Sequence, residues 1–127
     1  MCWRDCTRKD GETTQVINDQ VTSALAHLTA REVEDVVIAY EPVWALSSGT
    51  NYLHHETPKP DQIATAAKAI RQNIEHLYGK KTADRVRILY GGSSNGSNAH
   101  GLLSIEGING LLVGGASLNY HEFSTIV

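Results

Sequence analysis

Cysteine is scarce: Cys2 and Cys6, four positions apart, are the only two among 127 residues. That is too few and too close for the disulfide framework that staples small secreted domains, so reduced thiols are expected. Long apolar runs are missing as well. Nothing approaches the roughly 18 residues of a membrane-spanning helix, and Met1-Cys2-Trp3-Arg4-Asp5 lacks the basic-then-apolar order of a signal peptide. The expectation is a cytoplasmic protein with no membrane partner. Nor is there a basic excess. Lys and Arg number 11 against 14 Asp and Glu, a formal charge of −3, which leaves no electrostatic footprint for nucleic acid. The ligand spacings of zinc modules are absent. Only His54-His55-Glu56 clusters, and adjacent histidines rarely turn both rings toward one ion. His27, His76, His100 and His121 are scattered, as solvated surface residues are. No metal or other cofactor is expected. Low-complexity tracts and short repeats are also lacking, and 41% hydrophobic with 20% charged residues is ordinary for one folded domain, taken here as residues 1–127.

What is present is an alternation of strand and helix patterns. Arg4 to Glu12 is polar and reads as a loop. A helix follows, with Ile17, Val21, Ala24, Leu25 and Leu28 as one apolar stripe and Thr13 or Thr14 available to cap it. Val36 to Tyr40 reads as a strand, and the irregular segment Glu41 to Pro60 as a candidate lid. The spacing of Ile63, Ala67, Ile70, Ile74 and Leu77 predicts a helix over about Asp61 to Tyr78, ended by Gly79. Val86 to Tyr90 is a further strand, Ser97 to Ser104 a short helix, Gly110 to Val113 a strand and Ser117 to Val127 a short helix. Such alternation argues a parallel α/β sheet with helical crossovers. The strands are apolar without alternation, which predicts that both sheet faces are covered.

The chemistry is concentrated at strand ends. In Ala39-Tyr40-Glu41-Pro42-Val43-Trp44-Ala45, Pro42 removes a ladder donor and ends the strand, leaving Glu41 at its C-terminal mouth. A carboxylate flanked by an aromatic ring and a proline can be partly desolvated and made more basic. Gly91-Gly92-Ser93 and Gly114-Gly115 also follow strands. Small residues let backbone amides approach an oxyanion closely, and the second pair is expected to open a helix whose dipole favours negative charge.

Three segments in the same order, Ala39 to Ala45, Tyr90-Gly91-Gly92-Ser93 and Leu111-Leu112-Val113-Gly114-Gly115-Ala116-Ser117-Leu118, closely resemble motifs of the triosephosphate isomerase family. The resemblance implies a (β/α)8 TIM barrel. A whole barrel needs about 250 residues, so this chain is expected to form a partial one, roughly the last four strand-helix units. It also implies interconversion of dihydroxyacetone phosphate and glyceraldehyde 3-phosphate, with Glu41 as the base. Triosephosphate isomerase is itself the known case of a glutamate base working beneath a lid that excludes water. Amides of Ser47, Ser93, Gly114 and Gly115 would hold the substrate phosphate. Pro42, Val43 and Trp44 would form the lid's hinge, and Tyr90 and Ser93 would hydrogen-bond the closed lid. A homodimer is implied for the complete enzyme.

The departures are specific. Ser47 stands where the family's lid has glycine, and the segment Ala45 to Pro58 is longer than usual. No segment matches the family's Asn-x-Lys loop or the loop that supplies its electrophilic histidine. A base without a group to stabilise the developing enediolate is insufficient, so the isolated chain is expected to be inactive and, with strand edges unpaired and the inner face that the rest of a barrel would cover left open, to self-associate. The alternative reading is a non-catalytic phosphate-binding half-barrel that associates with itself or with another half.

Overall fold

The computed structural model describes residues 10–42 and 58–127, with side chains from Thr13 onward. Three parallel strands, β1 (Val37–Tyr40), β2 (Arg87–Tyr90) and β3 (Gly110–Leu111), lie side by side in sequence order. Helices make the connections: α1 (Asp10–Leu25) and α2 (Ala30–Glu34) precede β1, α3 (Pro60–Tyr78) and α4 (Lys80–Arg85) lead to β2, and α5 (Ala99–Leu103) leads to β3. A one-turn 3-10 helix (Gly115–Leu118) and α6 (Tyr120–Ile126) follow. The expected parallel α/β alternation is therefore present.

The core forms where the two long helices meet the sheet. Ile17, Val21 and Leu25 of α1 and Ile63, Ala66, Ala67, Ile70 and Ile74 of α3 are buried together with Ile88 and Tyr90 of β2. A fully buried isoleucine contributes about 1.5–3 kcal/mol. A net hydrogen bond contributes about 1 kcal/mol. The α3 isoleucines thus dominate over the polar contacts on the same interface, in which Asn73 Nδ2 donates to the Asn18 carbonyl at 2.9 Å and Tyr78 Oη donates to the Leu25 carbonyl at 2.6 Å.

Several boundaries differ from the sequence reading. Helix α1 begins at Asp10, so Thr13 and Thr14 lie inside the helix and neither stands at its N-cap. The helix stops at Leu25, with Ala24 exposed, because His27 takes a left-handed conformation at φ 70°; Leu28, beyond the helix end, still packs against the core. Leu77 is exposed, and Tyr78 packs against the core in its place. Helices α2 and α4 were not anticipated.

The largest difference concerns the sheet. Ile38 and Tyr40 of β1 pair in register with Ile88 and Tyr90 of β2 and face the core. Val37 and Ala39, paired with Arg87 and Leu89, face the other way. Val37 is 46% exposed, Ala39 and Arg87 are exposed and Leu89 is half-buried. Among the described residues only one face is covered, as expected of a half-barrel whose inner face the rest of the barrel would cover, whereas the strand pattern alone pointed to both. Glu41 continues the alternation on the open face.

Candidate active site

Parallel register brings the C-terminal ends of the strands level. Tyr40 pairs with Tyr90, and Tyr90 with Leu111. One residue further on, the Gly91 amide donates to the Tyr40 carbonyl at 2.9 Å and the Leu112 amide donates to the Tyr90 carbonyl at 2.9 Å. Glu41, Gly91 and Leu112 therefore start the three turns at the same height. Ser93 lies two residues into the second turn, and Gly114 and Gly115 lie in the third.

Glu41 is exposed, and its side chain runs over the Cα of Gly91. A Cβ on Gly91 would overlap Glu41 Cγ and come within 2.8 Å of Oε1, so only glycine lets the carboxylate occupy this position. The partial desolvation of Glu41 expected from Tyr40 and Pro42 is not found, since Glu41 is exposed. Pro42 is buried, but Tyr40 is turned to the core face, and the carboxylate stands on the open side.

Tyr90 is 1% exposed, and burial pushes its phenol above the ordinary value. Its hydroxyl has no hydrogen-bond partner among the described residues. It lies directly beneath Gly92, where a Cβ would collide with the hydroxyl and the ring carbon that bears it. Two successive glycines thus have two distinct jobs: Gly91 clears space for Glu41, and Gly92 for Tyr90.

The turn after β2 is built by asparagines that motif reading missed. Asn95 Oδ1 accepts from the Ser97 amide at 2.9 Å and the Asn98 amide at 3.0 Å. Asn98 in turn accepts from the Asn95 amide at 2.8 Å and donates to the Ser93 carbonyl at 3.2 Å. Ser93 itself is exposed. The Asn95-x-x-Asn98 spacing is an Asx-turn signal that could have been read in advance. After β3, the Gly114 carbonyl accepts from the Ser117 amide at 2.9 Å and from Ser117 Oγ at 2.6 Å. The helix expected to open here is the one-turn 3-10 helix, too short to carry a macrodipole. Gly114 and Gly115 are exposed, and a Cβ on either would meet nothing within 4 Å. None of the residues from Ile88 to Val127 is Lys or Arg, so the donors these two turns themselves offer an anion are amides and hydroxyls.

Val43, Trp44 and Ser47 lie outside the described residues, as do the candidate lid up to Thr57 and Cys2, Cys6, His54 and His55. The four scattered histidines, His27, His76, His100 and His121, are all exposed. Among the described residues no group of three His, Cys, Asp or Glu side chains could hold a metal ion, and no helix is long and apolar enough to cross a membrane.

A glutamate and two glycine turns at one end of a parallel sheet are the features by which known proteins can be compared. A family model described as Triosephosphate isomerase matches residues 2–127. The chain belongs to the triosephosphate isomerase family. It is 42% identical over 120 residues to the triosephosphate isomerase of Protochlamydia amoebophila, covering 94% of this chain and 43% of that protein. To that of Citrifermentans bemidjiense it is 43% identical over 120 residues, covering 94% and 45%. To that of Caldanaerobacter subterraneus it is 42% identical, covering 94% and 46%. The chain thus spans a little less than half the length of the curated relatives it matches. The family's TIM-barrel fold accounts for the three parallel strands as a partial barrel.

Proposed function

We propose that this chain supplies the base and the phosphate-holding turns of a triose-phosphate isomerase. Glu41 removes a proton from the carbon beside the carbonyl of dihydroxyacetone phosphate and returns it to the neighbouring carbon, giving D-glyceraldehyde 3-phosphate. The observation that carries this reading is the fit of Glu41 over Gly91, level with the glycine turns that follow β2 and β3. A carboxylate fixed on the open side of the sheet is accessible to a substrate, and a base must reach its proton before its basicity matters.

The phosphate is held by amides of Ser93, Gly114 and Gly115, joined by Ser47 from the lid. Gly114 and Gly115 support this because no described neighbour requires glycine there, whereas close approach of an oxyanion to the backbone does. Tyr90 is the partner of the closed lid. Its buried hydroxyl is unsatisfied among the described residues, and an unsatisfied buried hydroxyl gains from any donor or acceptor brought to it. Pro42, Val43 and Trp44 form the hinge. The charge of the enediolate is met by an electrophile from another segment, since this sequence has neither an Asn-x-Lys nor a Gly-His-Ser triplet. The isolated chain is accordingly inactive, and the complete enzyme is a cytoplasmic homodimer.

The test is to complete the barrel with the N-terminal half of a relative and measure steady-state isomerisation for Glu41→Asp and Glu41→Gln. The shortened base is expected to lose about 10²-fold in kcat, and the amide, which cannot accept the proton, considerably more. Full turnover in the Gln variant would remove Glu41 from the mechanism. Phosphate binding without turnover in the completed wild-type barrel would favour the non-catalytic half-barrel.

A further inference from the structure

We propose that Glu122 is a positioning residue that ties the turn after β2 to the turn after β3, so that both hold one anion. The inference rests on the phosphate reading of those turns. Helix α6 buries none of its residues, so filling the core is not what places it. Its carboxylate makes the connection: Glu122 Oε2 accepts from the Gly96 amide at 3.1 Å. The same approach requires glycine at the contact, because a Cβ on Gly96 would come within 2.5 Å of Thr125 Cγ2 and 3.0 Å of Thr125 Cβ.

On each side of this bond the linkage continues into a candidate phosphate turn. Toward β3, Asn119 Oδ1 accepts from the amides of His121 at 3.0 Å and Glu122 at 3.2 Å. The Asn119 amide donates to the Ala116 carbonyl at 3.2 Å, one residue beyond Gly115. Toward β2, Gly96 lies within the Asn95 and Asn98 turn, and Asn98 Nδ2 donates to the Ser93 carbonyl. A phosphate gripped from two turns needs their amides at a fixed separation, and misplacement by about 1 Å is enough to be felt. Glu122 sets that separation without touching the ligand.

The test uses the full chain and two probes, inorganic phosphate and glycerol 3-phosphate, titrated by amide NMR, with hydrogen exchange read at Gly96. Glu122→Ala is expected to speed Gly96 exchange and to weaken both probes about fivefold, the scale of one lost hydrogen bond. Glu122→Gln, which keeps the acceptor oxygen, should stay within about twofold of wild type. Gly96→Ala should fall as Glu122→Ala does, and adding Thr125→Ser, which removes the obstructing methyl, should restore part of the loss. Thermal midpoints should hardly move, since α6 buries nothing. Gly96 exchange that is equal in wild type and Glu122→Ala overturns the bridge whatever the probes do. Unchanged probe affinity in Glu122→Ala overturns the positioning role and leaves the phosphate reading standing. Failure of the wild-type chain to bind either probe, with its Gly96 amide protected, overturns the phosphate reading and the ligand part of this inference, while the bridge survives.

Discussion

Glu41 and Gly91 are interlocked: the carboxylate's stem occupies the space where any side chain on Gly91 would begin. The Gly91 amide is simultaneously committed to the Tyr40 carbonyl, so the backbone cannot swing away to relieve a clash. Gly91→Ala should therefore displace Glu41 while leaving the phosphate turns in place. In a completed barrel the expected result is a kcat loss of about 10²-fold with KM nearly unchanged, read by steady-state kinetics.

Tyr90 gives a prediction of opposite sign on stability. Its hydroxyl is buried without a partner among the described residues, and such a group costs about 1–3 kcal/mol. Tyr90→Phe should raise the stability of the ligand-free chain by about 1 kcal/mol in denaturant titration, yet weaken lid closure on a phosphorylated ligand. Because burial holds the folded phenol above its ordinary value, its contribution is fully present below about pH 10, where the unfolded phenol titrates. That contribution is lost as pH rises toward the folded value. The Phe variant should show a shallower alkaline loss of stability.

Arg71 organises the opposite end of the sheet. Its guanidinium donates to the Ala83 carbonyl, to the Val86 carbonyl at 3.2 Å and to Asn109 Oδ1 at 3.2 Å. Asn109 Oδ1 also accepts from the Ile88 amide at 2.9 Å. Replacing Arg71 by Met leaves the Ala83 carbonyl in α4 and the Val86 carbonyl just before β2 without this donor, and a loss of about 2 kcal/mol is expected. Asn109→Asp should instead stabilise by about 0.5 kcal/mol, because both donors would then meet a carboxylate. Chemical denaturation of the two variants checks both signs.

Thr29 and Glu32 form a capping box on α2: the Thr29 amide donates to Glu32 Oε2 at 2.8 Å, and the Glu32 amide donates to Thr29 Oγ1 at 3.3 Å. Thr29→Ala should cost about 1 kcal/mol. The bonds from the Thr29 backbone and then its side chain hold the Glu32 carboxyl below its ordinary value. The stability it supplies is present above the unfolded carboxyl's titration and is lost as pH falls through the folded one. The acid limb of the stability curve should be flatter in Glu32→Gln, measured by thermal melts between neutral and acid pH.

Much of this arrangement is legible from periodicity and strand-end chemistry. Ile63, Ala67, Ile70 and Ile74 are buried as their spacing predicts, and Glu41 follows a strand because Pro42 cannot continue one. Helix α2 was missed although Thr29-Ala30-Arg31-Glu32 is a capping-box pattern, since five residues leave too little stripe to register as a period. The open face of the sheet follows from the partial barrel and not from the strand pattern, because apolar residues on both sides of a strand look the same whether or not a neighbour covers them. Gly91 and Gly92 were recognised as a turn, but their separate duties depend on which side chains return over them, and that is a tertiary fact. The Glu122 to Gly96 bond joins residues 26 positions apart, beyond any local signal, although Asn119 ahead of Glu122 has the look of an N-cap.

The most direct test follows the transferred proton itself. In a barrel completed with a relative's N-terminal half, dihydroxyacetone phosphate is incubated in deuterated water and deuterium uptake at the carbon beside the carbonyl is followed by proton NMR. Uptake should be rapid with Glu41 and at least about 10³-fold slower in Glu41→Gln, with glycerol 3-phosphate still bound by both. Equal uptake by the two proteins would contradict the assignment of Glu41 as the base.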